Sequence, residues 1–256
     1  AKPPTNLVET GSYFWFRHPL YIGFQFILIS LALFTRSIGV LITTGPLFLV
    51  LWILYAHIEE KGLIHRYGDA YSRYKRETGL IFPSMYSIAR LILIPVFRII
   101  FRLIFDNTSV IPKQGGFYLV SLHRSYLDPL LISSGIDRKV HFLTTSSMYR
   151  KRLTRLFFKS MQTIPIARYK RNVSGIYKTL RILKSGGIIG LFPEGGRSWY
   201  GETAYCRSAL EIMKKYPFPV VTAEVVDNFS YYPRFSKYPK KEQLRIIYNF
   251  YDKNRM

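Results

Sequence analysis

The sequence contains little cysteine and little negative charge. Its single cysteine, Cys206, excludes an intramolecular disulfide framework and cannot form a metal site alone, so no metal is expected. Only 15 Asp and Glu residues oppose 37 Lys and Arg residues, which gives a formal net charge of +22. This excess favours an anionic partner, which is either nucleic acid or an acidic lipid bilayer.

Nucleic-acid motifs are also missing from the sequence, which has no zinc-finger spacing and no RNP-type aromatic strand. Aromatic residues make up 16% of the chain, and the apolar residues are concentrated in long runs. We therefore expect an anionic phospholipid bilayer as partner and no nucleic acid.

Two apolar segments near the start predict an N-terminal transmembrane helical hairpin. Pro19–Phe34 spans about 16 residues and Ile38–Ile58 about 21, and only the second is clearly long enough for a bilayer. Because the break between them is short, both outer ends lie on the side that carries most of the basic charge. That side is cytoplasmic by the positive-inside rule. We expect an integral membrane protein with its active site on the cytoplasmic face; a buried soluble helical hairpin is the alternative.

A third apolar stretch, Ser87–Phe105, has the pattern of a basic amphipathic helix in the membrane interface. Arg90, Arg98 and Arg102 recur at spacings of eight and four, which places them on one helical face. We expect Pro95 to kink this helix. The alternative is a core helix whose arginines snorkel to the surface.

After Gly115, short β-rich runs alternate with helical patterns, which predicts α/β architecture with a mostly parallel sheet flanked by helices. The linker Phe82-Pro83-Ser84 suggests a membrane hairpin domain at 1–82 and a second domain at 83–256. The expected strands are Gly116–Leu122, Val140–Thr144, Thr163–Ala167, Gly187–Phe192 and Pro219–Val226, with Leu244–Tyr251 as a further edge strand. The expected helices lie near Pro129–Ser134, Arg150–Met161, Val173–Lys184 and Thr203–Lys215.

Two short polar segments follow strands of this predicted sheet, where open α/β sheets place their chemistry. Ser121–Asp128 supplies a histidine and a carboxylate, and Phe192–Ser198 supplies a glutamate and an arginine. Together they pair a proton-transfer group with an anion-binding group.

His123 and Asp128 are expected to act as a general base and its orienting carboxylate. On a continuous helix they would diverge by about 140°, so a loop has to fold Asp128 back beneath the imidazole. An Asp that holds one ring nitrogen fixes the tautomer and leaves the other nitrogen to accept a proton from a hydroxyl. No G-x-S-x-G elbow is present, which favours a base acting on a substrate alcohol over a covalent relay. Asp128-Pro129 also fits a helix start with Asp as N-cap.

Four sequence blocks resemble the glycerophospholipid acyltransferase family, typified by 1-acylglycerol-3-phosphate acyltransferase, over residues 83–256. In chain order they are the H-x4-D block His123–Asp128, the strand Ile164–Arg168, the F-P-E-G block Phe192–Ser198, and Pro219-Val220-Val221. A Pro-Glu-Gly-Gly-Arg turn also offers backbone donors and a guanidinium to a phosphate or carboxylate.

The resemblance implies acyl transfer from acyl-CoA or acyl carrier protein to the free hydroxyl of a lysophospholipid, with 1-acylglycerol 3-phosphate as the favoured acceptor, phosphatidic acid as the product and no cofactor required. His123 would be the base and Asp128 its orienting group. The acceptor's glycerol phosphate would be held by Arg168, Glu194 and Arg197, with Gly195 and Gly196 as further acceptor-binding residues. Leu122, Gly196 and Thr222 depart from the family pattern, which leaves the identity of the acceptor open.

The first 82 residues resemble the end of the isoprenylcysteine and phospholipid methyltransferase family. The resemblance rests on an R-H-P-x-Y segment, a Glu pair and the segment 67–74. It implies S-adenosylmethionine binding by Arg17, His18, Tyr21, Glu59 and Glu60, in which Arg17 or His18 would hold the methionine carboxylate and Glu59 its amine. Interfacial anchoring by the same aromatic and basic side chains needs no cofactor.

Three functions therefore remain open at this point. The first is an acyltransferase. The second is an S-adenosylmethionine-dependent lipid or isoprenylcysteine-type methyltransferase, alone or in a bifunctional fusion. The third is a non-catalytic lipid-binding module.

Overall fold

The chain divides into two compact units, residues 1–87 and residues 88–256. The computed structural model describes residues 7–167, 173–195, 212–226 and 243–251. The division falls a few residues beyond the linker at 82–84 that the sequence suggests.

Three helices form the N-terminal unit: α1 (Pro19–Phe34), α2 (Ile38–Tyr67) and α3 (Asp69–Glu77). The α1–α2 turn is closed by Ser37, whose hydroxyl accepts a hydrogen bond from the Val40 N–H and so caps α2. The first two helices run antiparallel, since Gln25 donates to the Gly45 carbonyl and the rings of Tyr21 and Trp52 stack. α2 continues past the expected end at Ile58 to Tyr67, and within this extension Glu60 is buried.

α2 is the one helix of the described residues that is long and apolar enough to cross a membrane. Only 6% of its most apolar stretch is buried, which is unlike the core helix of a soluble protein. The shorter α1 is apolar over its 16 residues. The exposed apolar surface of both helices suggests membrane association.

Helix α4 (Met85–Phe101) is shorter than the expected span of 87–105. Arg102 follows it with a φ of 42°, and Ile104–Asp106 forms strand β1. Arg90 donates to the Ser133 carbonyl, so this arginine faces the domain rather than solvent. The exposed side chains of α4 include the apolar Leu91, Ile92, Val96 and Ile99 together with Arg98.

The second unit is built on a seven-stranded sheet of order β1-β7-β6-β2-β5-β3-β4. All neighbouring pairs are parallel except β6 and β7. This confirms the expected α/β architecture with a mostly parallel sheet. The strands after β1 are β2 (Phe117–Val120), β3 (Val140–Thr145), β4 (Ile164–Ile166), β5 (Ile188–Leu191), β6 (Val220–Val226) and β7 (Arg245–Tyr251).

The stretch Leu244–Tyr251 was expected at an edge of the sheet, and this expectation is wrong. β7 lies between β6 and β1, so the short strand β1 forms that edge. Three helices are close to their expected positions: α5 (Asp128–Ser134), α6 (Arg152–Ser160) and α7 (Val173–Lys184). Of the expected helix at 203–215, residues 212–215 are helical and the others lie outside the described residues.

The central strands are buried on both faces. Phe117 and Leu119 of β2 belong to one apolar cluster, whereas Tyr118 between them belongs to a second cluster on the opposite face. Burial on both faces is usual for strands of a parallel sheet. It fixes β2 and β5 rigidly and therefore fixes the loops that leave their carboxyl ends.

Candidate active site and N-terminal charge cluster

The two polar segments identified in the sequence both begin at the carboxyl end of the sheet, where β2 and β5 end. β2 and β5 are parallel neighbours, with Val120 opposite Leu191 at their carboxyl ends. The loop that holds His123 and the loop that holds Glu194 therefore start side by side, as an open α/β sheet requires of an active site.

The structure brings His123 and Asp128 together. The Nδ1 atom of His123 lies 3.2 Å from Oδ2 of Asp128, whose side chain is fully buried, while the His123 side chain keeps 20% of its surface exposed. A carboxylate accepts only, so the hydrogen-bond network assigns the Nδ1 proton to this contact. This tautomer leaves Nε2 as a proton acceptor on a partly open side chain.

Asp128 holds the loop as well as the imidazole. Its Oδ2 also accepts hydrogen bonds from the backbone N–H groups of Arg124 at 2.7 Å and Ser125 at 2.6 Å. The expectation that Asp128 is the N-cap is corrected, because Leu127 is the N-cap and the Asp128 side chain turns back to the preceding loop. Donors from the loop therefore orient the carboxylate toward His123.

Phe192 and Glu194 hold His123 from the neighbouring loop. The ring of Phe192 stacks on the imidazole with centroids 4.2 Å apart, and it stacks in turn on Phe142. Oε1 of Glu194 accepts a hydrogen bond of 2.8 Å from the His123 backbone N–H. The F-P-E-G block pointed to this loop, but its spacing could not show which side chains touch the histidine.

The remaining acceptor-binding residues expected from the sequence are only partly described. Gly195 follows Glu194 with a φ of 67°, a conformation that glycine adopts readily. Arg168, Gly196 and Arg197 lie outside the described residues.

The N-terminal unit contains a separate cluster of charged side chains around Glu60. This carboxylate is 1% exposed and pairs with Arg17 Nε at 3.0 Å and with Lys75 Nζ at 2.6 Å. Arg17 donates in addition to the Lys75 carbonyl at 2.8 Å. Lys75 carries no sequence signal that singles it out, since its partner lies in another helix.

Glu59 and His18 form the second half of this cluster. Oε2 of Glu59 accepts from the Tyr21 hydroxyl at 2.7 Å and lies 3.3 Å from His18 Nδ1, while the His18 Nε2 atom is 3.6 Å from Glu60. Burial lowers the pKa of His18 below its ordinary value, although both carboxylates oppose that shift. The five residues expected to bind S-adenosylmethionine, Arg17, His18, Tyr21, Glu59 and Glu60, are therefore in mutual contact.

A cavity of about 240 Å³ adjoins this charge cluster. Tyrosines supply much of its wall, together with Arg17, His18 and Glu59, the last with 44% of its side chain exposed. Among the described residues, no group of three or more His, Cys, Asp or Glu side chains is arranged to hold a metal ion.

Comparison with known families divides the chain as its two units do. Residues 102–226 match the model of the acyltransferase family, and residues 2–70 match that of the phospholipid methyltransferase family. The His123–Asp128 pair lies in the first matched segment, and the charge cluster of Arg17 and Glu60 lies in the second.

Individual relatives give the same division. The chain is 25% identical over 118 residues to the 1-acyl-sn-glycerol-3-phosphate acyltransferase of Bacillus subtilis, covering 46% of this chain and 59% of that protein. It is 37% identical over 86 residues to the protein-S-isoprenylcysteine O-methyltransferase of Saccharomyces cerevisiae, covering 30% of this chain and 32% of that one. The chain thus spans less than two thirds of the length of either relative.

The fold has a counterpart among solved structures. The 1-acyl-sn-glycerophosphate (LPA) acyltransferase PlsC of Thermotoga maritima superposes with a TM-score of 0.50 at 17% identity, covering 66% of this chain and 73% of that one. At an identity this low, the similarity establishes the fold alone. The two family models thus match an acyltransferase domain at residues 102–226 and a phospholipid methyltransferase domain at residues 2–70.

Proposed function

We propose that this protein is a membrane-bound O-acyltransferase that moves an acyl chain from acyl-CoA or acyl carrier protein to the free hydroxyl of a lysophospholipid. The favoured acceptor is 1-acylglycerol 3-phosphate, which gives phosphatidic acid. The observation that carries the proposal is the His123–Asp128 pair at the carboxyl edge of the sheet, inside the segment that matches the acyltransferase family.

The proposed reaction needs one proton acceptor and no covalent enzyme intermediate. Nε2 of His123 takes the proton of the acceptor hydroxyl as its oxygen attacks the thioester carbonyl carbon. The new C–O bond forms, the C–S bond breaks, and the leaving thiolate takes the proton back from the imidazolium. General-base assistance of this kind contributes about 10²–10⁴-fold to a rate.

Asp128 and Glu194 act through His123 in this proposal. Asp128 fixes the tautomer and stabilises the imidazolium when it forms. The carboxylate of Glu194 would repel an acceptor phosphate, and its bond to the His123 N–H suits a role in positioning the base. Phosphate recognition then rests on Arg168 and Arg197, since guanidinium groups bind phosphate with two parallel hydrogen bonds.

Membrane association supplies the acceptor. The exposed apolar surface of α2 supports a hairpin of 19–58 in the bilayer, with the basic sheet domain on the cytoplasmic face against anionic lipid. A lysolipid then reaches His123 from the leaflet, and the soluble thioester approaches from water.

Release of free thiol from acyl-CoA, measured over a series of lysolipid acceptors, tests the proposal. Arg197→Ala and Arg168→Ala should raise the acceptor KM by roughly 10- to 150-fold, the effect of a lost charge-assisted hydrogen bond, and leave the donor KM unchanged. Lys113→Ala, at an exposed position before β2, is the matched loss of one positive charge. A raised donor KM with an unchanged acceptor KM would show that these arginines bind the donor and not the acceptor.

Binding of S-adenosylmethionine by the N-terminal unit is a second candidate function, favoured by the cavity beside Glu59. Glu59, with His18 and Tyr21, fits the amine end of an amino acid, and the cofactor would supply a methyl group. Arg17 is already paired with Glu60, and the cavity is smaller than the roughly 300–1,000 Å³ of common ligand sites. The residues therefore fit the methionine end of the cofactor better than the whole molecule.

Equilibrium dialysis with radiolabelled S-adenosylmethionine separates the candidates. Binding that is lost in Glu59→Ala and kept in His123→Ala would support the second function, and no binding to the wild-type chain would remove it. A non-catalytic lipid-binding module predicts neither thiol release nor cofactor binding.

A further inference from the structure

Within the part of the chain that the structure describes, helix α6 has an exposed apolar face. It connects the parallel neighbours β3 and β4, a position where a helix ordinarily buries its apolar side on the sheet, yet none of its residues is buried. Leu153 is 81% exposed, Leu156 58% and Phe157 50%. Their spacing places all three side chains on one side of the helix.

The opposite side of α6 is fixed to the domain. Arg155 Nε donates to the Tyr149 carbonyl at 2.8 Å, and the ring of Phe158 packs against that of Tyr149. The Phe158 carbonyl accepts a hydrogen bond from the Thr163 hydroxyl at the start of β4. These contacts leave Leu153 and Leu156 facing away from the protein, while the half-exposed Phe157 also packs edge-to-face on Phe158.

The charged residues that flank the apolar face along the described segment are positive. Arg150, Lys151, Arg152 and Lys159 are exposed beside it, and no acidic residue occurs in the sequence between Asp137 and Glu194. An exposed apolar strip flanked by Lys and Arg matches a surface that is apolar inside and anionic at its boundary.

The position of α6 links this face to the candidate active site. α6 follows the carboxyl end of β3, and β3 is the parallel neighbour of β5, which in turn neighbours β2. α6 therefore begins at the same carboxyl end of the sheet as the loop that holds His123. A surface that binds the start of α6 would lie at the end of the sheet that carries His123.

We propose that α6 is a membrane-docking helix, which inserts Leu153, Leu156 and Phe157 into an anionic bilayer and holds the edge that carries His123 against the headgroups. The inference rests on the proposed membrane association but not on acyl transfer. A bilayer fits better than a protein partner, because three side chains on a nine-residue helix are far from the roughly 800 Å² per partner of a stable interface.

An environment-sensitive fluorophore at position 156 of the full chain in nanodiscs tests the docking. The label is placed by Leu156→Cys in a Cys206→Ser background. The matched control is Gln114→Cys, an exposed position just before β2, at the amino end of that strand. In anionic nanodiscs, the emission at 156 should shift to shorter wavelength and be quenched by quencher-bearing lipids, while that at 114 stays water-like. A water-like emission at 156 would overturn the proposal.

Lipid composition and copy number decide between the possible occupants. The shift at 156 should shrink in zwitterionic nanodiscs, and an equal shift in both lipids would overturn the assignment to anionic lipid. A shift present only in nanodiscs that hold two copies of the chain would assign the face to a second copy instead.

An activity measurement then links docking to the substrate. The triple change of Leu153, Leu156 and Phe157 to Ser should reduce turnover of bilayer-embedded lysolipid and leave turnover of a short-chain, water-soluble lysolipid unchanged. Equal turnover of the embedded acceptor by the variant and the wild type would contradict a role in substrate access. A failure of the acyltransferase proposal would appear as no turnover of either acceptor by the wild type, with the fluorescence result standing.

Discussion

Two clusters in the described residues combine histidine with carboxylates, and they differ in what surrounds the carboxylate. Asp128 is met by N–H donors of its own loop and by the imidazole of His123, which can become a cation. Glu60 is met by the permanent cations Arg17 and Lys75. The His123–Asp128 pair can therefore exchange a proton, whereas the charge of Glu60 is already neutralised by Arg17 and Lys75.

The comparison teaches that residue types alone do not identify a proton-transfer site. His18 has a carboxylate near each ring nitrogen and is 6% exposed, whereas His123 has one carboxylate and an open side. We therefore expect acyl transfer to depend on the first cluster, and the stability of the N-terminal unit to depend on the second.

The largest expected effect separates the two histidines. His123→Ala should lower kcat for acyl transfer by about 10²–10⁴-fold, because the general base is removed. His18→Ala, measured on protein shown to be folded, should leave kcat within a few-fold of wild type. Steady-state assays of thiol release on both variants make the comparison, and near-wild-type turnover by folded His123→Ala would exclude His123 as the base.

The next effect concerns stability rather than rate. Glu60→Ala should destabilise the N-terminal unit by about 3–5 kcal/mol, because it leaves Arg17 largely buried without its carboxylate. Chemical unfolding in detergent micelles, followed by Trp15 and Trp52 fluorescence in a Trp199→Phe background, measures it. Glu59→Ala is the matched control, since Glu59 is 44% exposed. A loss below about 1 kcal/mol would show that the cluster is weakly coupled to folding.

A smaller effect on rate is expected at Asp128. Asp128→Asn keeps the side-chain volume but removes a charge-assisted hydrogen bond, which should lower kcat by roughly 10- to 150-fold with little change in KM. In a His123→Ala background the same change should cost little more, since Asp128 acts through the imidazole. A further tenfold loss in the double variant would give Asp128 a role independent of His123.

The smallest effect is a pH dependence of stability in the N-terminal unit. Because burial lowers the pKa of folded His18 below its ordinary 6.5, the unfolded chain binds the proton more readily. The contribution of His18 to stability is therefore present above about pH 6.5 and is lost as the pH falls through the folded pKa, with a slope of at most about 1.4 kcal/mol per pH unit. Unfolding curves from pH 7.5 to 5 should show this slope in the wild type and lose it in His18→Gln. An unchanged slope in that variant would assign it to other groups.

Local sequence patterns predicted the elements that local physics determines. The helix at 173–184 has its expected bounds, and the strands that carry the two loops were placed to within a few residues. Strand β1 was missed because the apolar run of α4 continues into Ile104 and Phe105 without a break in composition. The helix ends at Phe101, where the following Arg102 adopts a φ of 42°, and the sequence gives no sign of this change.

The contacts that assemble the two clusters depend on tertiary structure. The spacing of His123 and Asp128 pointed to their contact, because a five-residue loop can close it. The bond from the His123 N–H to Glu194 joins residues 71 positions apart, and the Lys75–Glu60 pair joins two helices. Sheet order has the same origin, which is why β7 was expected at an edge that β1 occupies.

The most direct test of the central claim is mass spectrometry of the product formed by the purified full chain from 1-acylglycerol 3-phosphate and a ¹³C-labelled acyl-CoA, with S-adenosylmethionine present. We predict phosphatidic acid that carries the labelled acyl chain on the formerly free hydroxyl, formed by the wild type and His18→Ala but not by His123→Ala. Labelled phosphatidic acid formed equally by His123→Ala would contradict the assignment of the base. A wild-type chain that methylates a lipid and transfers no acyl group would contradict the proposed activity itself.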